Sequence, residues 1–167
     1  MRFAFALTAL LATIAVGLAG PDGSSSAAAC NAGVETADGN PPPTPTADDL
    51  FVGRRLLLRG AVGRKTHDVR DRPGGWWWLK VLAIVRGGRM VTLSVPPNER
   101  GRLHLRYLGN GRTVIFRPCR RPSGQWSYYP GGFVYSKRGC YAIDIRIGHG
   151  DTVRRHMPLG VGARCAV

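Results

Sequence analysis

The chain has 167 residues, 44% of them hydrophobic, which suits one domain of ordinary size with a packed core. Its 24 lysines and arginines outnumber its 10 acids and give a formal net charge of +14, which attracts polyanions. The 23 glycines and 12 prolines favour turns and short strands and exclude an architecture of long helices.

The N-terminus has the pattern of a secretion signal. Arg2 supplies a positive charge, residues 3–19 carry no charge, and Gly20-Pro21 ends the apolar run. The run is marginal for crossing a hydrocarbon core of about 30 Å. We therefore expect residues 1–29 to be a signal peptide or an N-terminal membrane anchor. In either case the rest of the chain is secreted or held at the outer face of the cell envelope.

Two hypotheses concern the cysteine that follows this leader. Ala27-Ala28-Ala29 suits a small-x-small cleavage site directly before Cys30. Small residues before a cysteine also resemble a lipoprotein box, which would make Cys30 a lipidation site. The box is imperfect, because Ala27 stands where leucine is usual and ten residues separate Cys30 from the apolar run. The alternative is an ordinary cysteine in a flexible segment.

The next segment predicts a linker. Residues 30–49 nearly lack aromatic and large aliphatic side chains, and Pro41-Pro42-Pro43 stiffens them. Such a segment buries too little apolar surface to offset the entropy of ordering it. We expect a disordered, proline-rich linker over 30–49 and a single domain over 50–167.

Short apolar runs follow one another through the domain. We expect one helical turn over residues 50–58. The run 76–85 ends at Gly87-Gly88, a hairpin signal, and alternation over 90–95 follows. The later predicted strands lie at 103–107, 113–117, 133–135, 141–147 and 153–159, and the alternation is clearest over 141–147. Seven or eight strands at this spacing predict an all-β fold, an antiparallel immunoglobulin-like β-sandwich.

Several motifs between Lys80 and Cys165 occur together. They include Phe116-Arg117-Pro118-Cys119, Pro130-Gly131-Gly132-Phe133, Gly139-Cys140 and Gly162-Ala163-Arg164-Cys165. In this set the chain resembles a group of small secreted actinobacterial proteins of unknown function, over about half its length. The resemblance implies an exported β-sandwich and carries no activity with it.

Four cysteines in an exported chain are expected to oxidise. Cys119, Cys140 and Cys165 are the disulfide candidates within the domain. We slightly favour Cys119–Cys140, which brackets a Pro-Gly-Gly loop, with Cys140–Cys165 close behind. A zinc site is disfavoured because no two cysteines, and no cysteine and histidine, have ligand spacing.

No catalytic, cofactor-binding or metal-binding residue is predicted. The four histidines, His67, His104, His149 and His156, lack the His-Cys-Met loop of a blue-copper site. The chain has no Gly-x-Ser-x-Gly elbow and no Ser-x-x-Lys pair, and its acids suggest no paired carboxylates. We therefore expect no enzyme activity and no cofactor.

Aromatic residues predict a possible contact surface. In a strand, the side chain of Trp77 must point opposite to those of Trp76 and Trp78. One side is expected to join the core, and the other to form a stacking or membrane-interface platform beside Lys80.

Charge then leads to the functional expectation. We expect an exported, non-catalytic module that adheres to anionic cell-wall polymer, lipid headgroups or another envelope protein. The alternatives are an enzyme of unrecognised class and a nucleic-acid-binding protein, although export argues against any specific nucleic acid. The competing interpretation is that the arginines only reflect genome composition. Candidate contacts are the outward-facing and loop arginines Arg106, Arg117, Arg120, Arg121, Arg146 and Arg154.

Overall fold

The computed structural model of the chain describes the backbone of Ser25–Ala28 and five further ranges of residues. These ranges are 44–63, 69–70, 75–107, 109–117 and 126–166. They contain short strands and one 3-10 turn, Pro97–Glu99. In chain order the strands are β1 (Ser25–Ala28), β2 (Leu50–Val52), β3 (Leu56–Leu58), β4 (Val69–Arg70), β5 (Trp77–Lys80), β6 (Ala83–Arg86), β7 (Val91–Ser94), β8 (Leu103–Arg106), β9 (Asn110–Gly111), β10 (Thr113–Phe116), β11 (Trp126–Tyr129), β12 (Gly132–Tyr135), β13 (Gly139–Ile147) and β14 (Thr152–Leu159).

The strands form three sheets. Sheet 1 has the order β1-β10-β7-β13-β14, sheet 2 the order β11-β6-β3-β2, and sheet 3 the order β4-β5-β12-β8-β9. Neighbours are antiparallel except for β1 and β10, which are parallel. The all-β prediction is confirmed, and the arrangement is consistent with a β-sandwich. No helix within the described ranges is long and apolar enough to cross a bilayer.

One apolar core is shared by all three sheets. Leu93 and Ile145 enter it from sheet 1, Leu56 from sheet 2, and Leu105 and Phe133 from sheet 3. Each of these side chains is almost completely buried. The predicted alternation over 103–107 and 141–147 is therefore confirmed as the period that turns one face of each strand inward.

A bent hairpin connects two of the sheets. β5 and β12 pair in sheet 3, and their continuations β6 and β11 pair in sheet 2. At the bend, the Val81 amide donates to the Gly131 carbonyl over 2.9 Å, and the buried Tyr107 hydroxyl donates to the Val81 carbonyl over 2.9 Å. Gly131 is required here because a Cβ would overlap the Tyr107 ring.

The hairpin predicted at Gly87-Gly88 is wrong. β6 pairs with β3 and β11 in sheet 2, whereas β7 pairs with β10 and β13 in sheet 1. The glycines do turn the chain, and Gly88 has a φ of +100°. The turn carries the chain from one sheet to another, because each of the two strands already has a partner on both sides in its own sheet.

The helical turn expected over 50–58 is also wrong. β2 and β3 form a hairpin in which Val52 pairs with Leu56. Gly53 and Arg54 have φ values of +56° and +53°, the left-handed backbone that a tight hairpin turn needs.

One disulfide closes the end of the longest hairpin. Cys140 pairs with Cys165 and the Cα atoms lie 5.0 Å apart. The preference for Cys119–Cys140 is therefore corrected in favour of the second choice. The register places Cys140 opposite Pro158 at the end of β14, and turns at Gly160 and Gly162, both with positive φ, bring the chain back.

Removing this disulfide should reduce stability. Cys140 and Cys165 are 25 residues apart, and a bridge over such a loop contributes about 3 kcal/mol by loss of loop entropy in the unfolded chain. We expect the Cys140→Ser/Cys165→Ser variant to unfold with a free energy lower by about that amount, measured by chemical denaturation. Wild-type protein treated with reductant is the control. Equal stability of variant and wild type would contradict the expectation.

The first strand lies within the segment predicted as a leader. β1 pairs with β10 in parallel, from Ser25 opposite Thr113 to Ala28 opposite Phe116. A cut before Cys30 would remove this strand and leave β10 as an open edge, whereas a cut before Ser25 would keep it. If the predicted leader is cleaved, the position of the cut is therefore expected to affect the stability of sheet 1.

Two truncated chains test this contribution. A chain that begins at Ser25 keeps β1, and a chain that begins at Cys30 lacks it; both keep all four cysteines. Because net backbone hydrogen bonds contribute about 0.5–1.5 kcal/mol each, we expect the shorter chain to be less stable by about 1–2 kcal/mol. Denaturant midpoints give the answer. Coincident unfolding curves would show that β1 does not stabilise the domain.

Candidate anion-binding site

Two turns meet at one end of the domain. The turn at 53–55 joins β2 to β3, and residues 87–90 join β6 to β7. The Arg86 amide donates to the Arg55 carbonyl over 2.8 Å. The Arg55 guanidinium, through Nη1, donates to the Gly87 carbonyl over 3.0 Å. The side chain of Arg55 is thereby anchored to the neighbouring turn.

A third turn joins them. Residues 148–151 connect β13 to β14, and the Gly148 amide donates to the Met90 carbonyl over 2.7 Å. A Cβ built on Gly148 would lie 3.5 Å from the Cδ of Arg89, so the arginine side chain passes close to this turn. Three segments far apart in sequence are therefore held together at this end.

A cleft of about 350 Å³ opens between the three turns, and we call it the arginine cleft. Its floor is apolar: Val52 and Ile145 are buried, and Ile147 and Val153 are half-buried. A second cleft of about 500 Å³ adjoins it, because it shares Arg89 with the first.

Three arginines line the arginine cleft. Arg55 is half-buried, whereas Arg89 and Arg155 are exposed. Arg155 stands opposite the buried Ile143 in the β13–β14 ladder, so it shares the inward-facing side of this edge strand. None of the three forms an ion pair with an acid in the described part of the chain. Asp151 is the one acid on the lining, and the cleft has a formal charge of +2.

The arginines predicted from sequence lie elsewhere and do not share one face. Arg146 and Arg154 are exposed on the outer face of sheet 1, and Arg154 pairs with Asp144 over 2.8 Å. Arg106 belongs to sheet 3, and Arg117 is exposed just after β10. Four further predicted residues lie outside the described part of the chain: Cys30, Cys119, Arg120 and Arg121.

Sequence reasoning missed the arginine cleft. Arg55 and Arg89 each follow a glycine turn, and Arg155 follows Arg154 on a strand that alternates. A search for arginines next to Gly-rich turns would have found two of them. Nothing in the spacing indicates that the turns meet, because this depends on how the sheets close around the core.

The tryptophan triplet divides as predicted. Trp77 lies opposite Tyr135 and packs against the core. Trp76 stacks with His104 at 4.8 Å between ring centroids, and the guanidinium carbon of Arg106 lies 5.2 Å from the Trp78 ring centroid. These outer aromatic rings already contact side chains of their own sheet.

His104 lies between this aromatic contact and a cation. Burial lowers its pKa below the ordinary value of 6.5, and the charge of Arg112 acts in the same direction. The imidazole is therefore neutral at pH 7, and the charge at this face comes from Lys80 and the arginines.

Three clefts in the described part of the chain contain few titratable side chains besides arginine. The cleft beside the disulfide, of about 530 Å³, contains His156 and Arg164 but no carboxylate. The other two contain His149 and Asp151, one each. Within the described ranges no group of three His, Cys, Asp or Glu side chains is placed to hold a metal ion.

Two buried carboxylates serve structural contacts. Glu99 accepts from Nε of Arg102 over 2.6 Å and from the Ala142 amide over 3.2 Å, which ties the 3-10 turn to β13. Asp49 accepts from the Gly60 amide over 2.6 Å and from Nη1 of Arg59 over 2.7 Å. These contacts fix both side chains away from the clefts.

Hydrogen bonds outweigh burial at both sites. Burial acts to raise the pKa of Glu99, but the Arg102 and Ala142 hydrogen bonds lower it overall from the ordinary 4.5. Burial also acts to raise the pKa of Asp49. The hydrogen bonds from the Thr46 and Gly60 amides and the charge of Arg59 lower it overall, below its ordinary value of 3.8.

Comparison with known proteins gives no relative for this chain. No family model, no curated protein and no solved structure matches it. The resemblance to secreted actinobacterial proteins stays a prediction.

The two carboxylates predict loss of stability in acid. Because the folded-state pKa values of Asp49 and Glu99 lie below their ordinary values, the unfolded chain binds protons first as pH falls. The stabilisation is complete above about pH 5 and declines below it. We expect Glu99→Gln to lose about 2 kcal/mol at pH 7 and to show a shallower decline in acid, measured by denaturation at several pH values.

Asp48→Asn is the matched control for this variant, because it removes an exposed acid that lies outside the arginine cleft. It should keep the wild-type dependence on pH. If Glu99→Gln follows the wild-type curve down to low pH, the assignment of this decline to Glu99 is wrong.

Proposed function

We propose that the protein is an exported, non-catalytic module that associates with anionic polymers or lipid headgroups of the cell envelope through unneutralised arginines. One observation carries the proposal: three of the five acids in the described ranges are engaged in their own ion pairs. The three arginines of the arginine cleft pair with none of these acids, so their charge is available for a partner.

The ion pairs account for most of the acids in the described ranges. Asp49 pairs with Arg59 over 2.7 Å, Glu99 with Arg102 over 2.6 Å, and Asp144 with Arg154 over 2.8 Å. The remaining acids in these ranges are Asp48 and Asp151. The excess of cations therefore cannot be cancelled locally.

The physical consequence is attraction over a distance. A net charge of +14 on a chain of 167 residues produces a field that is screened over about 8–10 Å at physiological salt. Each Lys or Arg near an anionic membrane surface contributes about 1 kcal/mol, so three or four correctly placed cations suffice for measurable association. A charged cell-wall polymer meets the same field.

Export is part of the proposal and rests on two kinds of support. The uncharged run over 3–19 behind Arg2 has the signal pattern. The Cys140–Cys165 disulfide suits an oxidising compartment. The immunoglobulin-like strand order stays a prediction beside these points, and the proposal does not depend on it.

Salt dependence tests the association. We expect the purified protein to co-sediment with vesicles of phosphatidylglycerol and phosphatidylcholine at about 50 mM salt and to be released at about 500 mM, because screening shortens the range of the field. Vesicles of phosphatidylcholine alone are the control. Absence of binding at low salt, or binding that does not depend on salt, would contradict the proposal and favour the interpretation that the arginines only reflect genome composition.

A further inference from the structure

We propose that the arginine cleft is a binding site for an organic phosphate, with the phosphate among Arg55, Arg89 and Arg155 and the attached apolar part on the floor. This inference rests on the proposed association with anionic ligands, because it names the chemical group that the protein selects. It assigns that selection to a different place from the outer-face arginines predicted by sequence.

Charge balance favours a phosphate over a carboxylate. The three arginines and Asp151 give the cleft a formal charge of +2. A phosphate monoester carries about −1.5 to −2 at pH 7 and offers three strong acceptor oxygens. A carboxylate carries one charge and is satisfied by a single bidentate arginine, which would leave two guanidinium groups of the cleft without a partner.

The direction from which the arginines come also suits a tetrahedral anion. Arg55 belongs to the turn at 53–55, Arg89 to the turn after β6, and Arg155 to β14. Donors that reach a ligand from three separate segments match acceptor oxygens spread around one phosphorus atom. Guanidinium groups form charge-assisted bonds with phosphate oxygens, and these are the stronger class of hydrogen bond.

One of the donors is oriented before a ligand arrives. The guanidinium of Arg55 is half-buried and donates through Nη1 to the Gly87 carbonyl over 3.0 Å. That bond uses one N–H group of the Arg55 guanidinium and leaves the others to donate to an anion. Because the side chain is already ordered, less entropy is lost on binding than for a free surface arginine.

The apolar floor of the arginine cleft favours a phosphate ester over inorganic phosphate. Val52, Ile145, Ile147 and Val153 offer apolar side chains directly beside the arginines. The volume of about 350 Å³ lies within the range of about 300–1,000 Å³ that is usual for small-molecule sites, so the cleft has room for more than the five heavy atoms of a phosphate. An ester whose carbon chain covers the floor uses both parts of the cleft.

Calorimetry with three soluble probes tests the ligand class. The probes are inorganic phosphate, glycerol 3-phosphate and dihexanoyl phosphatidic acid below its micelle concentration, each titrated into the full chain. We expect dihexanoyl phosphatidic acid to bind at least about tenfold more tightly than the other two, because burial of apolar carbon adds to the affinity. Equal affinities would overturn the role of the floor.

Matched variants test the location. Arg89→Gln and Arg155→Gln each remove one exposed charge from the cleft, and Arg146→Gln removes one exposed charge from the outer face of the same sheet. We expect the two cleft variants to weaken dihexanoyl phosphatidic acid by about tenfold and Arg146→Gln by less than about twofold. Equal losses in all three would mean that overall charge, and not the cleft, determines binding.

Val153→Thr tests the floor separately. The substitution preserves shape but replaces a methyl group with a hydroxyl, so it should weaken the binding of dihexanoyl phosphatidic acid and leave that of glycerol 3-phosphate unchanged. The same loss for both probes would show that the variant disturbs the fold and would contradict the assignment of the floor.

Failure of this inference differs from failure of the proposed function. If wild-type protein sediments with anionic vesicles in a salt-dependent way but the cleft variants behave like Arg146→Gln, the association stands and the cleft assignment falls. If vesicles do not bind while Arg89→Gln selectively weakens the soluble phosphate ester, the cleft stands and the envelope association falls.

Discussion

The bend of the hairpin formed by β5–β6 and β11–β12 is the constraint on which the architecture depends. At this bend the buried Tyr107 hydroxyl donates to the Val81 carbonyl, and the Val81 amide donates to Gly131. A strand that changes sheets must satisfy the backbone groups that its former partner no longer pairs, and these two bonds do so inside the core. This bend holds sheets 2 and 3 around the core that they share with sheet 1. The turns at the ends of β2, β6 and β13, which are far apart in sequence, lie together at one end of this packing. The arginine cleft is a consequence of that packing.

Local pattern predicted which residues face inward, but it did not predict which strands become neighbours. Alternation over 141–147 identifies the inner face correctly, because a strand half-buried in a sheet has a period of two whatever its partner is. Gly87-Gly88 predicted a hairpin, yet β6 and β7 belong to different sheets. A glycine turn specifies that the chain reverses; the pairing depends on the summed packing of remote segments such as β11 and β13, which no short window contains.

The candidate site shows the same division. The sequence indicates a basic domain, and it places Arg146 correctly on an outer face. It gives no reason to single out Arg55 or Arg89, because each is one arginine beside one turn until the fold brings the turns together. Arg154 and Arg155 differ by a single position, yet alternation directs the first to Asp144 and the second to the cleft. Position relative to the sheet, and not charge alone, separates a neutralised arginine from an available one.

The acids that stabilise the fold are distinct from the arginines of the proposed anion-binding site. Asp49 and Glu99 are buried, and their contacts with Arg59 and Arg102 secure loops against the core. Such contacts respond to protonation of the carboxylate and less to salt than exposed charges do, since a pair whose carboxylate is buried is screened less. The arginines of the cleft have no such pairing in the described chain, and their attraction for an exposed anion falls as ionic strength rises. Acid is therefore expected to act on the fold and salt on the proposed association, so the two properties can be changed independently in one protein.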